Sequence, residues 1–207
     1  MNNDPVAYAR QAVLASDQVD RAELAVVLRE LQRTKSVPGA VVEFGCFVGT
    51  TSVHLQRWLL GGDKELHVYD SFEGLPEKTA EDSSPAGEQF RPGELHATKK
   101  QLITNFKKAD LPLPHIHRGW FSELPDDAVP PRVSFAFLDG DYYESVLTPL
   151  RLLESRLQPG AIIVVDDYAN EALPGAAKAV AVWRQQTKHQ TTLQVEQSLA
   201  IIRLTAS

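Results

Sequence analysis

The chain has 207 residues, 43% of them hydrophobic and 23% charged, which suits a folded domain with a sizeable core and excludes disorder over its length. Its 27 acidic and 21 basic side chains leave a net charge of −6, a surface that repels a phosphate backbone, so nucleic acid is not an expected partner. No run approaches the roughly eighteen apolar residues of a membrane span, MNNDPVAYAR has no apolar secretory core, and a single Cys46 excludes an internal disulfide and a multi-cysteine zinc site; a cytoplasmic protein is the expectation.

Residues 1–36 read as helix. Asp4 is the expected N-cap with Pro5 at the first helical position, Ser16 or Asp20 restarts a second helix, and Leu24, Val27, Leu28 and Leu31 share one face. Val37-Pro38-Gly39 ends this segment, giving a helical cap of residues 1–36 on a domain of residues 37–207. An apolar cap face left partly uncovered would allow a homodimer. Five short apolar runs follow, at residues 40–44, 66–70, 115–117, 133–138 and 161–165; AVVEF, VSFAFL and AIIVV are nearly all apolar, as in parallel strands covered by helices. Helices are expected at 51–60, 94–109, 144–157 and 175–186. The third carries Val146, Leu147, Leu150, Leu153 and Leu157 on one side, and Pro149 either begins it or bends its first turn. Residues 192–196 and 199–204, split by Gln197-Ser198, form a β-hairpin. The expected fold is α/β, a Rossmann-like, doubly wound, mostly parallel seven-stranded sheet with N-terminal helices and a C-terminal antiparallel hairpin. Such sheets bind ligands beyond the carboxyl ends of their strands, so function is expected there.

The first strand runs into Glu43-Phe44-Gly45-Cys46-Phe47-Val48-Gly49-Thr50-Thr51. Gly45 and Gly49 permit a tight turn close to a ligand, and Thr50 or Thr51 can cap the next helix, whose exposed N–H groups favour a carboxylate or phosphate. The same pattern serves an unliganded strand-to-helix turn. Asp70 ends the second strand and can accept hydrogen bonds from both ribose hydroxyls of an adenosine, or cap a turn. The fourth strand ends in Asp139-Gly140-Asp141 and the fifth in Asp166-Asp167, which brings up to four carboxylates to one rim. Like charges so close need a proton or a cation. A hard divalent ion suits oxygen ligands, Mg²⁺ foremost with Mn²⁺ or Ca²⁺ also fitting; otherwise these residues cap helices. Asp141, facing the cleft, is the expected general base. Residues 74–93 form a long irregular loop, either a flap or a mobile segment.

VPGAVVEFGCFVGTTS, VYDSFEGLP, GWFSELP, LDGDYYES and PGAIIVVDDY, in that order, resemble the blocks of the macrocin O-methyltransferase (TylF/MycF-like) family. The resemblance implies a class I methyltransferase using S-adenosylmethionine and a divalent metal, acting on a hydroxyl of a sugar or other natural product. It implies that Glu43, Gly45, Cys46, Phe47, Gly49, Thr50 and Thr51 form the cofactor loop, that Asp70 and Ser71 take the ribose, and that Gly119 and Trp120 lie near the adenine. Asp139, also beside the cofactor, would hold the metal with Asp166 and Asp167, and Asp141 would be the base. The loop Gly-Cys-Phe-Val-Gly departs from the aromatic-Arg-Gly-Gly of sugar-modifying members, which bears on the acceptor more than on the cofactor.

Two other readings remain from the residues. Asp70 suits a nicotinamide-dependent oxidoreductase, although G-x-G-x-x-G is missing. A non-catalytic nucleoside-binding module would gain nothing from crowded aspartates. The six histidines show no metal-ligand spacing, Cys46 reads as a packing residue, and the terminal hairpin offers no chemistry.

Overall fold

The computed structural model describes residues 4–88 and 90–205, so residues 1–3 of the expected cap lie outside the described residues. Two aspartates start the first helices. Asp4 accepts from the Val6 N–H (3.0 Å) at the start of α1 (Pro5–Gln11), and Asp20 accepts from the N–H groups of Ala22 and Glu23 (2.6 and 3.3 Å) at the start of α2 (Arg21–Arg33). Asp20, not Ser16, restarts the second helix; the Ser16 hydroxyl instead lies 3.0 Å from that of Thr50.

The remaining elements are β1 (Ala40–Phe44), α3 (Thr50–Leu59), β2 (Leu66–Asp70), α4 (Lys99–Lys108), β3 (His115–Arg118), β4 (Val133–Leu138), α5 (Tyr143–Leu153), β5 (Leu157–Val165), α6 (Pro174–Gln186), β6 (Thr191–Glu196) and β7 (Leu199–Leu204). The strands form one seven-stranded sheet in the order β3-β2-β1-β4-β5-β7-β6. The first five are parallel; β7 is antiparallel to β5 and to β6. Strand order reverses between β1 and β4, which opens the crevice where open α/β sheets take ligands.

Side-chain alternation builds two cores. Val41, Val68, Phe135, Phe137, Ile162, Val164 and Ile201 face the layer of α1–α4, while Val42, Phe44, Ala136, Leu138, Ile163, Val165 and Ile202 face α5 and α6. The face of α2 carrying Leu24, Val27, Leu28 and Leu31 is buried in the first of these, while Val6 and Val13 of the cap are exposed. Fully buried Glu30 accepts from Arg203 (2.9 Å) and Arg29 (3.0 Å), and Arg29 reaches Glu196 (2.8 Å), tying α2 to the hairpin.

Two helix boundaries differ from expectation. The helix expected at 94–109 begins at Lys99, because Thr98 and Gln101 form a capping box, with the Thr98 N–H donating to Gln101 Oε1 (2.8 Å). The helix expected at 144–157 stops at Leu153. Leu157 opens β5 but packs into the same core layer, so its apolar spacing mimics a further helical turn. Pro149 lies inside α5 rather than at its start. Among the described residues, no helix is long and apolar enough to cross a membrane.

Candidate active site

Gly45 leaves β1 at φ +84°, and a Cβ there would lie 1.8 Å from the Asp139 carbonyl oxygen. The glycine is therefore required by the neighbouring strand, besides leaving backbone open to the cleft. Gly49, at φ +83°, is the N-cap of α3 and no side chain caps that helix. Thr50 and Thr51 are its first buried residues, not its caps. Asp70 closes the loop from below: its Oδ2 accepts from the N–H groups of Cys46 and Phe47 (2.9 Å each) and its Oδ1 from the Phe72 N–H (2.7 Å). A carboxylate has roughly four acceptor directions, so a ribose can take about one here without displacing an amide.

Glu43 is buried behind the loop, where the Ser52 hydroxyl donates to it. Burial, with the Asp70 charge adding, pushes its carboxyl up to about 8. Burial likewise raises the Cys46 thiol, which fits a packing role rather than a nucleophile.

Beside this loop the ends of β4 and β5 bring four aspartates together. Ligand oxygens of Asp139, Asp141 and Asp167 all lie within 4.8 Å of one another. Burial, then the charges of Asp166, Asp141 and Asp167, holds Asp139 well above the usual carboxylate range. Burial and the charges of Asp167 and Asp166 do the same to Asp141. Asp166 is pushed up to about 7, mainly by burial and Asp167. Its Oδ1 accepts from the Asp167 N–H (2.8 Å) and more weakly from the Ser198 hydroxyl (3.4 Å). Asp167 accepts from Asn170 Nδ2 (2.8 Å) and is also raised by burial. Asp141 and Asp167 both have left-handed backbone (φ 61° and 56°), as do Phe47 and Phe72 at the ends of the adjoining strands. Strained positions gathered at one rim mark a site over-determined by its surroundings.

These groups open into a cleft of 740 Å³. Gly45, Phe47, Asp70, Ser71, Trp120, Asp139, Asp141, Asp166 and Asp167 line it; Glu43, Cys46, Gly49, Thr50, Thr51 and Gly119 do not. Gly119 instead donates its N–H to the Asp70 carbonyl (3.0 Å). Glu23, Glu144, Asn170 and Ser198 were not expected but line the cleft as well. Ser198 sits in the hairpin, which therefore does bear on the cleft, and its hydroxyl donates to Glu23. Nothing local in the sequence signals this, because α2 and the β6–β7 turn meet only once the sheet is complete. Among the described residues lining the cleft are seven carboxylates and no Lys, Arg or His.

The loop expected as a flap or mobile segment is anchored at Asp82 and Ser84. Asp82 is 1% exposed and accepts from the Tyr143 N–H (2.6 Å), capping α5 from a distance, and from the Thr79 N–H (2.9 Å). The Ser84 hydroxyl donates to the Glu171 carbonyl (2.7 Å). Leu75, Pro76, Phe90 and Leu95 give the cleft its apolar wall.

The family model for macrocin O-methyltransferase (TylF) matches residues 17–202. The chain belongs to this family. Among curated proteins it is 36% identical over 145 residues to the 8-demethyl-8-(2,3-dimethoxy-alpha-L-rhamnosyl)-tetracenomycin-C 4'-O-methyltransferase of Streptomyces olivaceus, covering 66% of this chain and 55% of that protein. It is 28% identical over 160 residues to the mycinamicin III 3''-O-methyltransferase of Micromonospora griseorubida, covering 72% and 62%. The chain thus spans little more than half the length of the first of these relatives. Among solved structures, that of the O-methyltransferase NovP superposes with a TM-score of 0.72 at 23% identity, over 88% of this chain and 80% of that one, a likeness of fold.

Proposed function

We propose that this family member transfers a methyl group from S-adenosylmethionine to a hydroxyl of a small molecule, a sugar or related natural product, with the help of a divalent cation. The observation that carries the reading is the convergence of β4 and β5 carboxylates beside the Gly45 loop in a cleft of seven carboxylates without a basic residue among the described lining. Such a lining favours a sulfonium and a metal cation, and it disfavours the pyrophosphate of a nicotinamide dinucleotide. One similar curated protein is named as the O-methyltransferase of a rhamnosyl-bearing tetracenomycin and another as a mycinamicin III O-methyltransferase, which supports a natural-product acceptor.

The donor set fits a hard dication: oxygen ligands only, crowded enough that burial and mutual repulsion raise every member. Asp139, Asp166 and Asp167 would hold it, with Mg²⁺ the first candidate; when bound, such an ion supplies charge that lowers the pKa of a nearby hydroxyl and stabilises the developing alkoxide. The donor, when bound along the Gly45 loop and Asp70, supplies an activated methyl group. Asp141 then stands at the rim to take the proton of the acceptor hydroxyl. Trp120 and the apolar wall of Leu75, Phe90 and Leu95 exclude water and orient the acceptor. A second assignment rests on the tight trio: Asp141, in place of Asp166, completes the ligand set.

Calorimetric titration with S-adenosylmethionine, with and without Mg²⁺, tests the reading. Binding in at least one condition is expected, and its absence in both removes the proposal. Asp141→Asn and Asp166→Asn separate the two ligand sets, since the true third ligand weakens metal binding and the other substitution leaves it unchanged.

A further inference from the structure

Outside the cleft lining, β2 and β3 at the end of the sheet carry a second group of metal-ligating side chains. His67 is in register with His115, and Tyr69 with His117, so three imidazoles stand on one sheet face next to Glu65. The His67 and His115 rings stack with centroids 4.4 Å apart, and His117 stacks on Tyr69 at 4.5 Å. Ligand atoms of Glu65, His67 and His115 all lie within 4.8 Å of one another.

The proton arrangement leaves this group incomplete. His67 Nδ1 and His117 Nε2 are 3.1 Å apart and share one proton. On the other side of the ring, His67 Nε2 is buried and has no hydrogen-bond partner. It faces Glu65 Oε2 at 3.7 Å, too far for a hydrogen bond, while His115 Nε2 faces Glu65 Oε1 at 3.8 Å. If His67 carries its proton on Nδ1, a bare nitrogen lone pair looks at a carboxylate. If it carries the proton on Nε2, that N–H is 3.7 Å from Glu65 Oε2, beyond hydrogen-bond length. A cation between them removes either fault.

We propose that Glu65, His67 and His115 bind one borderline-soft divalent transition ion, Zn²⁺ foremost, clamping the edge strand β3 to β2, with His117 as the positioning residue that orients His67. Two imidazoles and a carboxylate are a zinc donor set, and imidazole disfavours Mg²⁺ and Ca²⁺. The separations of 3.7 and 3.8 Å, one to each Glu65 oxygen, are close to the roughly 3.4 Å between tetrahedral ligands held about 2.05 Å from a zinc ion, and closing the site takes a turn of the exposed His115 ring out of its stack on His67. The His67–His117 hydrogen bond supplies the partner that a metal-bound imidazole needs on its second nitrogen. Burial, together with the neighbouring imidazoles, keeps His67 and His117 below the usual histidine range, so both are neutral and able to ligate near pH 7. This site is independent of the cleft and of the proposed methyl transfer.

The test uses the full chain without an affinity tag, in excess Mg²⁺ to keep the cleft aspartates from competing. Zn²⁺ is titrated by calorimetry, and Co²⁺ by its visible d–d absorption. One ion per chain and a tetrahedral cobalt band are expected, with a rise in Tm on adding Zn²⁺. His115→Ala and Glu65→Ala, both at exposed positions, should remove the band and the rise in Tm while circular dichroism stays unchanged. His117→Ala should weaken binding about 10–100-fold. No Zn²⁺ binding to the wild-type chain, or binding of equal affinity in His115→Ala and Glu65→Ala, overturns the proposal.

Discussion

Replacing Glu43 by Gln removes a carboxyl that the fold holds protonated near pH 7. Glu43 is 1% exposed, and burial, with Asp70 adding, pushes it from the model-compound value of 4.5 to about 8. Above pH 4.5 the unfolded chain has released this proton while the folded chain keeps it. Stability therefore falls as pH rises from about 4.5 to about 8, and the penalty is complete above that range. The interval corresponds to about 5 kcal/mol in full, of which about 1 kcal/mol is present near pH 5 and nearly all near pH 9. Glutamine keeps the shape and can still meet the Ser52 hydroxyl, but it does not titrate. Urea unfolding of both proteins near pH 5 and pH 9 isolates this group, because the aspartates of the cleft titrate in both. The stability of Glu43→Gln relative to wild type should grow by about 4 kcal/mol between the two conditions. A difference that stays constant with pH refutes the protonated, buried state of Glu43.

Gly45→Ala should cost about 3 kcal/mol or more, combining left-handed backbone strain with a Cβ 1.8 Å from the Asp139 carbonyl oxygen. Gly93→Ala, at a similar φ with nothing within 4 Å, should cost only about 1 kcal/mol; equal losses in thermal denaturation would deny the close approach. Asp82→Ala leaves the Tyr143 N–H without its acceptor and unpins the loop, so a loss of about 3 kcal/mol and faster proteolysis between residues 74 and 95 are expected, while an unchanged cleavage rate would count against the tie. Ser198→Ala removes the single hydroxyl proton that goes to Glu23 and, more weakly, to Asp166, so Asp166 should titrate higher than its value of about 7; an unmoved carboxyl signal by NMR would show that Ser198 does not reach it.

The sheet was legible because its central strands AVVEF, VSFAFL and AIIVV are nearly all apolar, which leaves no amphipathic reading to compete with burial. The aspartates after β4 and β5 were legible for a related reason: parallel neighbours put their carboxyl ends on one rim whatever the details of the loops. Leu157 misled because strand and helix can present an apolar residue to the same core layer. Thr50 and Thr51 misled because a left-handed Gly49 ends the turn without a side-chain cap. The places of Glu23 and Ser198 depend on the terminal hairpin returning beside β5, and the grouping of Glu65, His67 and His115 depends on the register of β2 with β3. Both are long-range facts that no local spacing encodes.

The proposed methyl transfer depends most heavily on the β4 and β5 aspartates gripping one ion. Electron paramagnetic resonance of Mn²⁺ added to the apo protein measures that grip without knowledge of the acceptor. Wild-type protein should bind one Mn²⁺ in competition with Mg²⁺, and Asp139→Asn and Asp167→Asn should each abolish this binding while the far-ultraviolet circular dichroism is preserved. Mn²⁺ bound with the same affinity by both variants would contradict it.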